Sequence, residues 1–484
     1  MEETKQVKRR TMALDYVPVG DIEEQKSHKG KITVPEGVTN SMIYKDILVI
    51  AWPSLIELLL TQLASMVDMM MVGKLGSTAI AAVGLTVQPK FLLMTAFMAL
   101  NVGVTAMVAR YKGAGEPEKA KLILRQGVLM TLVLTSIMSV LGFVYSEKLI
   151  ALMGAPTEAT LRGGTVYLQI QMAGFLFLAL TSTITAALRG VGDSKTAMIY
   201  NIIANVVNVI FNYLLIYGKF GFPRMELAGA SLATVIGQTV AFILAAIIII
   251  RGKGYLKLEF NKSFKPDFKS LKAIMQIGIP SAVEQLLMRA GMIVYTRTVA
   301  GLGDVAYATH HVCMSIQALS FMVGQGFAVS ATSLVGQSLG KKRTDMAELY
   351  SKRTSAIGYV GAFILTALFL VAGKEIVMLY TDEVPVIETG TIILRYVAFL
   401  QPFQCMQFIL AGALRGAGDT KATAAITFVT MMLIRPILAL ILVNVFDMGL
   451  TGAWFALIAD QVVRSLLIFF RYKQGKWKFL RIAA

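Results

Sequence analysis

Long apolar runs alternate with short polar blocks over most of the chain, and each run holds about 18–25 residues, the length that carries an α-helix across a hydrocarbon core of ~30 Å. The pattern predicts spans near 48–72, 79–108, 123–145, 165–187, 197–217, 228–250, 274–298, 312–338, 354–373, 391–412, 424–446 and 451–470. Aliphatic runs such as Phe242–Ile250 do not read as strands. Open strand edges are costly in lipid, and the alternation of a membrane barrel is missing. The predicted fold class is all-α and polytopic, with twelve transmembrane helices.

Composition agrees. Of the 484 residues, 56% are hydrophobic and 15% charged, too few polar groups to cover a soluble surface of this size. Cys313 and Cys405 both lie in apolar runs, which argues against redox chemistry, and three histidines leave little for a metal cluster. A polar tail is expected over 1–45, solvated and mobile, with no signal peptide. A basic linker is expected at 251–273, a basic tail at 473–484, and six-helix lobes at 46–250 and 274–472.

The net charge of +17 changes meaning once the charges are located. Thirty-four of the 46 Lys and Arg fill or flank the termini and even-numbered connections, Arg125 at a span edge included, against six in the odd-numbered ones. That asymmetry places both termini in the cytoplasm and makes the bilayer, not nucleic acid, the partner of the basic surface.

The two lobes repeat. PSLIE at Pro53 recurs as PSAVE at Pro280, 227 residues on, and ALRGVGDSK (Ala187–Lys195) recurs as ALRGAGDTK (Ala413–Lys421), with seven of nine positions identical. Six helices per repeat is an even number, so the repeats are parallel, a plan that secondary transporters share with a cavity between lobes.

The motifs SMVDMMMVGKLG, LVGQSLG, NVVNVIFN, GAWFALIADQVVRS and the doubled ALRG-x-GD-[ST]-K resemble the multidrug and toxic compound extrusion (MATE) antiporters, most of all the bacterial DinF-like branch, over about residues 48–470. The resemblance implies a monomeric efflux pump in the bacterial inner membrane. It would export hydrophobic or cationic organic compounds in exchange for inward Na⁺ or H⁺, without a cofactor. It also implies that Asp68 is the coupling carboxylate, working with Asn208, Asn212 and Thr234. The branch usually carries Asp where Asn212 stands, so one titratable charge is missing. In the NorM-like branch, acidic positions of the seventh and tenth helices align with Met288 and Gln404, and those roles do not carry over.

Four acids fall within spans, namely Glu57, Asp68, Glu284 and Asp460, and ionisable groups at that depth are functional candidates by default. Asp68 lies eleven residues after Glu57, about 16 Å along a helix and on the same face. Oxygen ligands around Asp68 suit a hard cation such as Na⁺, whereas desolvation of the same group would suit a proton carrier. Glu57, Glu284, Lys90 and Arg435 are candidates for the transport path. Their structural alternatives are Glu284 packing with Arg289 or Arg297, and Lys90 and Arg435, each beside a proline, pairing with an acid. Asp460 and Arg464 are expected to pair at i, i+4. Gly192 and Gly418 suit tight turns, and Asp193 and Asp419 suit helix caps. His310 and His311 are expected at the membrane interface. Some of the 27 Met and 25 Phe are candidates to line the cavity and receive flat cations.

A lipid-linked saccharide flippase of the related superfamily is the alternative function, though its charged headgroup favours a more basic cavity. No GxxxxGK[ST] or HExxH motif supports a built-in ATPase or a hydrolase.

Overall fold

The computed structural model describes residues 12–20, 34–252, 254–259, 262 and 264–480. Twelve helices among them are long and apolar enough to cross a membrane, and no strand occurs among the described residues. They are α1 (Asn40–Gly73), α2 (Ser77–Gly113), α3 (Pro117–Val144), α4 (Glu158–Gly190), α5 (Ser194–Tyr217) and α6 (Glu226–Arg251). The second set is α7 (Phe268–Ala300), α8 (Asp304–Gly340), α9 (Thr344–Val371), α10 (Val384–Ala417), α11 (Thr420–Val445) and α12 (Gly449–Lys473). Several exceed their apolar spans. α1 begins at Asn40 rather than near Leu48, because a helix continues through Lys45 and Asp46 once it leaves hydrocarbon, where hydropathy carries no signal.

The chain packs as two compact units, one of Ile56–Gly278 and one of Met12–Leu55 with Ile279–Ile482. The division falls inside α1 and inside α7 rather than at the connection before α7, so each of these helices contributes to both units. In the first unit α4 packs on α2, α3 and α6, and α5 packs on α6. In the second, α10 packs on α8, α9 and α12 in the same way. Close approach explains the ALRG glycines. A Cβ at Gly190 would stand 2.8 Å from the Thr105 carbonyl oxygen, and one at Gly416 would stand 2.3 Å from that of Thr332. Small residues let membrane helices touch backbone to backbone.

The turns that follow hold Gly192 at φ +81° and Gly418 at φ +86°, as expected of a tight loop. Asp193 caps α5, accepting the Thr196 amide at 3.2 Å. Asp419 does not cap α11; its carboxylate turns to Arg471, 2.8 Å away, a charge that outcompetes a backbone N–H. α11 carries two π-helical stretches, Val429–Ile434 and Ile441–Val445, around the Arg435–Pro436 pair. Proline removes a donor and displaces the preceding turn, and a π-bulge absorbs the mismatch.

Part of the N-terminal tail is packed, not mobile. Ala13–Tyr16 form a 3₁₀ turn with Leu14 and Val17 buried against the core of the second unit. The Ala13 amide donates to Asp46 at 2.7 Å, and Lys341 Nζ donates to the Leu14 carbonyl at 2.7 Å. Apolar residues at 13, 14 and 17 made this possible within a segment whose average polarity concealed them. Residues 1–11 and 21–33 lie outside the described residues.

His310 lies in the second turn of α8. It is buried among the rings of Tyr295 and Trp454, while His311 stacks edge-on against Tyr307 at 4.6 Å.

Candidate functional site

The polar face of α1 repeats at helical spacing. Glu57, Thr61, Ser65 and Asp68 share one side, and Leu60, Leu63, Val67 and Met70 are exposed on another. α5 is built alike: Asn201, Asn205, Asn208 and Asn212 fall on one face, while Ile199, Ile203, Val206 and Ile210 are exposed. Within the Ile56–Gly278 unit these faces meet. Asn212 Nδ2 donates to Asp68 Oδ1 at 2.5 Å, and Asn205 Nδ2 donates to the Thr61 hydroxyl at 3.1 Å.

Asn208 satisfies both ends of its amide in one orientation. Its nitrogen donates to the two Asp68 oxygens at 2.9 and 3.1 Å, and its oxygen accepts the Thr234 amide at 3.2 Å. Asp68, Asn208, Asn212 and Thr234 therefore form one cluster from α1, α5 and α6. The Asn212 side-chain oxygen is buried in this cluster without a hydrogen-bond partner. A buried acceptor left empty is costly, and an orphan oxygen beside a carboxylate has the chemistry with which a hard cation could be held.

A cavity of about 460 Å³ runs within this unit from Glu57 to Asp68. At its Glu57 end stands an ion pair that sequence reasoning did not foresee. Arg189 Nη2 lies 2.9 Å from Glu57, and Asn201 Nδ2 donates to the same carboxylate at 2.7 Å. Lys90 also lines the cavity, and among the described residues it does not form the expected pair with an acid. Its Nζ donates to the neutral Gln171 side chain at 2.8 Å. Of the Met and Phe residues, Met94 lines this wall, and among the described residues no aromatic ring does. Hydroxyls and amides share it with aliphatic side chains such as Leu58, Leu178 and Ala241.

In the second unit the matching glutamate finds the matching arginine. Glu284 accepts from Arg415 Nη2 at 2.6 Å and from the Thr423 hydroxyl at 2.9 Å, so its partner is neither Arg289 nor Arg297. Arg435 and Arg464 both bind Asp460, at 2.5 and 2.6 Å, and Arg464 Nε also reaches Thr430 at 3.0 Å. The acid pairing expected of Arg435 and the i, i+4 pair are both present, joined into one buried triad that holds α11 to α12. Arg189 and Arg415 were legible in principle, because each stands in the doubled ALRG block at nearly the same distance after the doubled PSxxE glutamate.

The MatE family model matches residues 53–214 and again 280–441, the same 227-residue offset as the PSxxE repeat (280 − 53). The chain is 28% identical over 463 residues to a probable multidrug resistance protein NorM of Thermotoga maritima, covering 94% of this chain and 96% of that one. It is 25% identical over 434 residues to multidrug resistance protein MdtK of Yersinia pestis, covering 89% and 95%. A solved structure of a MOP superfamily transporter from Pyrococcus furiosus shares the fold at a TM-score of 0.83 and 21% identity, over 90% of this chain and 97% of that one.

Proposed function

The chain belongs to the MatE family and is a multi-pass membrane protein, and from that premise we propose that it is a secondary active exporter of drug-like organic compounds driven by inward cation flow at Asp68. The observation that carries the reading is the Asp68 cluster, one carboxylate held by two asparagines on the cavity wall beside the unpartnered Asn212 oxygen. One Na⁺ beside one ionised Asp68 is electroneutral, and the amide oxygens of Asn208 and Asn212 with the Thr234 hydroxyl complete an oxygen shell. The amides that donate to the empty carboxylate rotate to present oxygen when the ion arrives. Ion binding thereby rewrites the hydrogen bonds of α1, α5 and α6 together. A proton would need no such shell, so Na⁺ is the favoured coupling ion. The protein sits in the inner membrane with both termini in the cytoplasm.

The test is uptake of a fluorescent organic cation into everted membrane vesicles, with Na⁺ and pH gradients imposed separately. Uptake that follows the Na⁺ gradient at fixed pH is expected. Uptake that ignores Na⁺ and collapses with the pH gradient would make Asp68 a proton carrier, and no uptake under either gradient would overturn the export reading.

A further inference from the structure

We propose that Lys90 is an anchor for an anionic group of the transported compound, so that the cavity of the Ile56–Gly278 unit selects zwitterionic or anion-bearing polar molecules over flat aromatic monocations; this rests on the export reading above. Four ionisable side chains line the cavity, Glu57, Asp68, Lys90 and Arg189. They divide evenly by sign. Glu57 and Arg189 neutralise each other at one end, 2.9 Å apart. Asp68 is committed to its two asparagines and, under the export reading, to the coupling ion.

Lys90 is left as the cation whose charge no touching acid cancels. An ammonium carries three donors, and the contact shown for this one is to a neutral amide oxygen of Gln171. Asp68 lines the same cavity, but no salt bridge joins it to Lys90 among the described residues. An intramembrane lysine whose contact is a neutral amide is costly to keep. A ligand carboxylate, sulfonate or phosphate would complete it with a charge-assisted hydrogen bond.

The rest of the cavity argues the same way. When a cation occupies Asp68, Glu57, Arg189, Asp68 and its ion sum to zero and Lys90 leaves a net charge of +1. That field repels a second cation and attracts an anionic group. Among the described residues no aromatic face lines the cavity to stack on a flat cation, while Thr61, Ser65, Thr181, Ser182 and Gln238 offer hydroxyls and an amide to a polar ligand.

A matched dye pair tests this on the purified full-length protein. A rhodamine methyl ester is a monocation, and the free acid of the same dye is a zwitterion, so the two differ only by the carboxylate. Fluorescence anisotropy in saturating Na⁺ is expected to give tighter binding of the free acid by about tenfold, the scale of one charge-assisted contact. Lys90→Arg should keep that preference, and Lys90→Gln should erase or reverse it. Wild-type protein that binds the ester as well as the acid overturns the proposal, whether or not the variants fold. So does a Lys90→Gln protein of normal monodispersity with an unchanged ratio. Export is read separately in proteoliposomes. Gradient-driven transport with no acid preference sinks this inference alone, and an acid preference without gradient-driven transport sinks the export reading alone.

Discussion

Arg189 holds Glu57 at 2.9 Å, and 226 residues later Arg415 holds Glu284 at 2.6 Å. In each unit the contact ties the first helix of the repeat, four residues past its proline, to the ALRG end of the fourth. Each glutamate is the more buried partner, with its side chain 8% and 6% exposed against 21% and 23% for the arginines. Removing the arginine thus strands a charge in a dry place, while removing both does not.

Arg415→Ala is accordingly expected to destabilise the protein by about 3 kcal/mol, the lower end for a buried pair because the guanidinium is partly solvated. The double change Glu284→Gln with Arg415→Gln should recover part of that loss. Thermal unfolding in detergent measures both. Equal melting of wild type and Arg415→Ala would show that Thr423 and solvent suffice for Glu284.

Asp68→Asn is expected to abolish ion-coupled export while leaving membrane insertion and expression intact, since the amide keeps the shape and loses the charge. Asn212→Asp works in the opposite direction, adding a second carboxylate that strengthens cation binding and makes it more sensitive to pH. Export assays on cells with matched expression, with radiolabelled Na⁺ binding to the purified protein, report on the two. Wild-type export from Asp68→Asn would remove Asp68 from the mechanism.

Asp46→Ala is expected to release the N-terminal turn. The buried Asp46 carboxylate accepts both the Ala13 amide and the Tyr350 hydroxyl, at 2.7 and 2.8 Å, and each donor would lose its partner. A loss of about 1–3 kcal/mol follows for each buried group left unsatisfied. Hydrogen exchange over residues 12–20 should rise strongly, with α3 and α4 unaffected. Unchanged protection would mean that burial of Leu14 and Val17 and the Lys341 contact hold the turn without Asp46.

A pH dependence is expected at the start of α7. Hydrogen bonds from Ser270 hold the Asp267 carboxyl below the ordinary aspartate range. A lowered folded-state value stabilises the cap above the ordinary Asp range, and that stabilisation disappears as pH falls through the folded value. Asp267→Ala should therefore cost about 1 kcal/mol near neutral pH and nothing in strong acid. Amide exchange at Ser270 across that range decides it, and a variant whose exchange matches wild type at neutral pH would contradict the cap.

Much of this protein was legible in one dimension. A helix that crosses hydrocarbon must satisfy its own backbone, so apolar run length alone yielded twelve helices, and a parallel repeat is visible as PSxxE and ALRG written twice. Asp68 stood out as an acid within an apolar run, where ionisable groups are costly, and Asn208, Asn212 and Thr234 joined it through the resemblance to the MATE antiporters. What tertiary structure alone decided was partnership. Lys90 beside a proline gave no hint whether Gln171 or an acid would meet it, for residues 81 positions apart have no register in sequence. Glu57 found Arg189, and Asp419 chose Arg471 over its own helix end, through packing of helices whose mutual rotation no periodicity encodes. The N-terminal turn was missed for a related reason. Leu14 and Val17 are too few to register as a span, and only the surface around Tyr350 and Lys341, more than 300 residues away, makes burying them favourable.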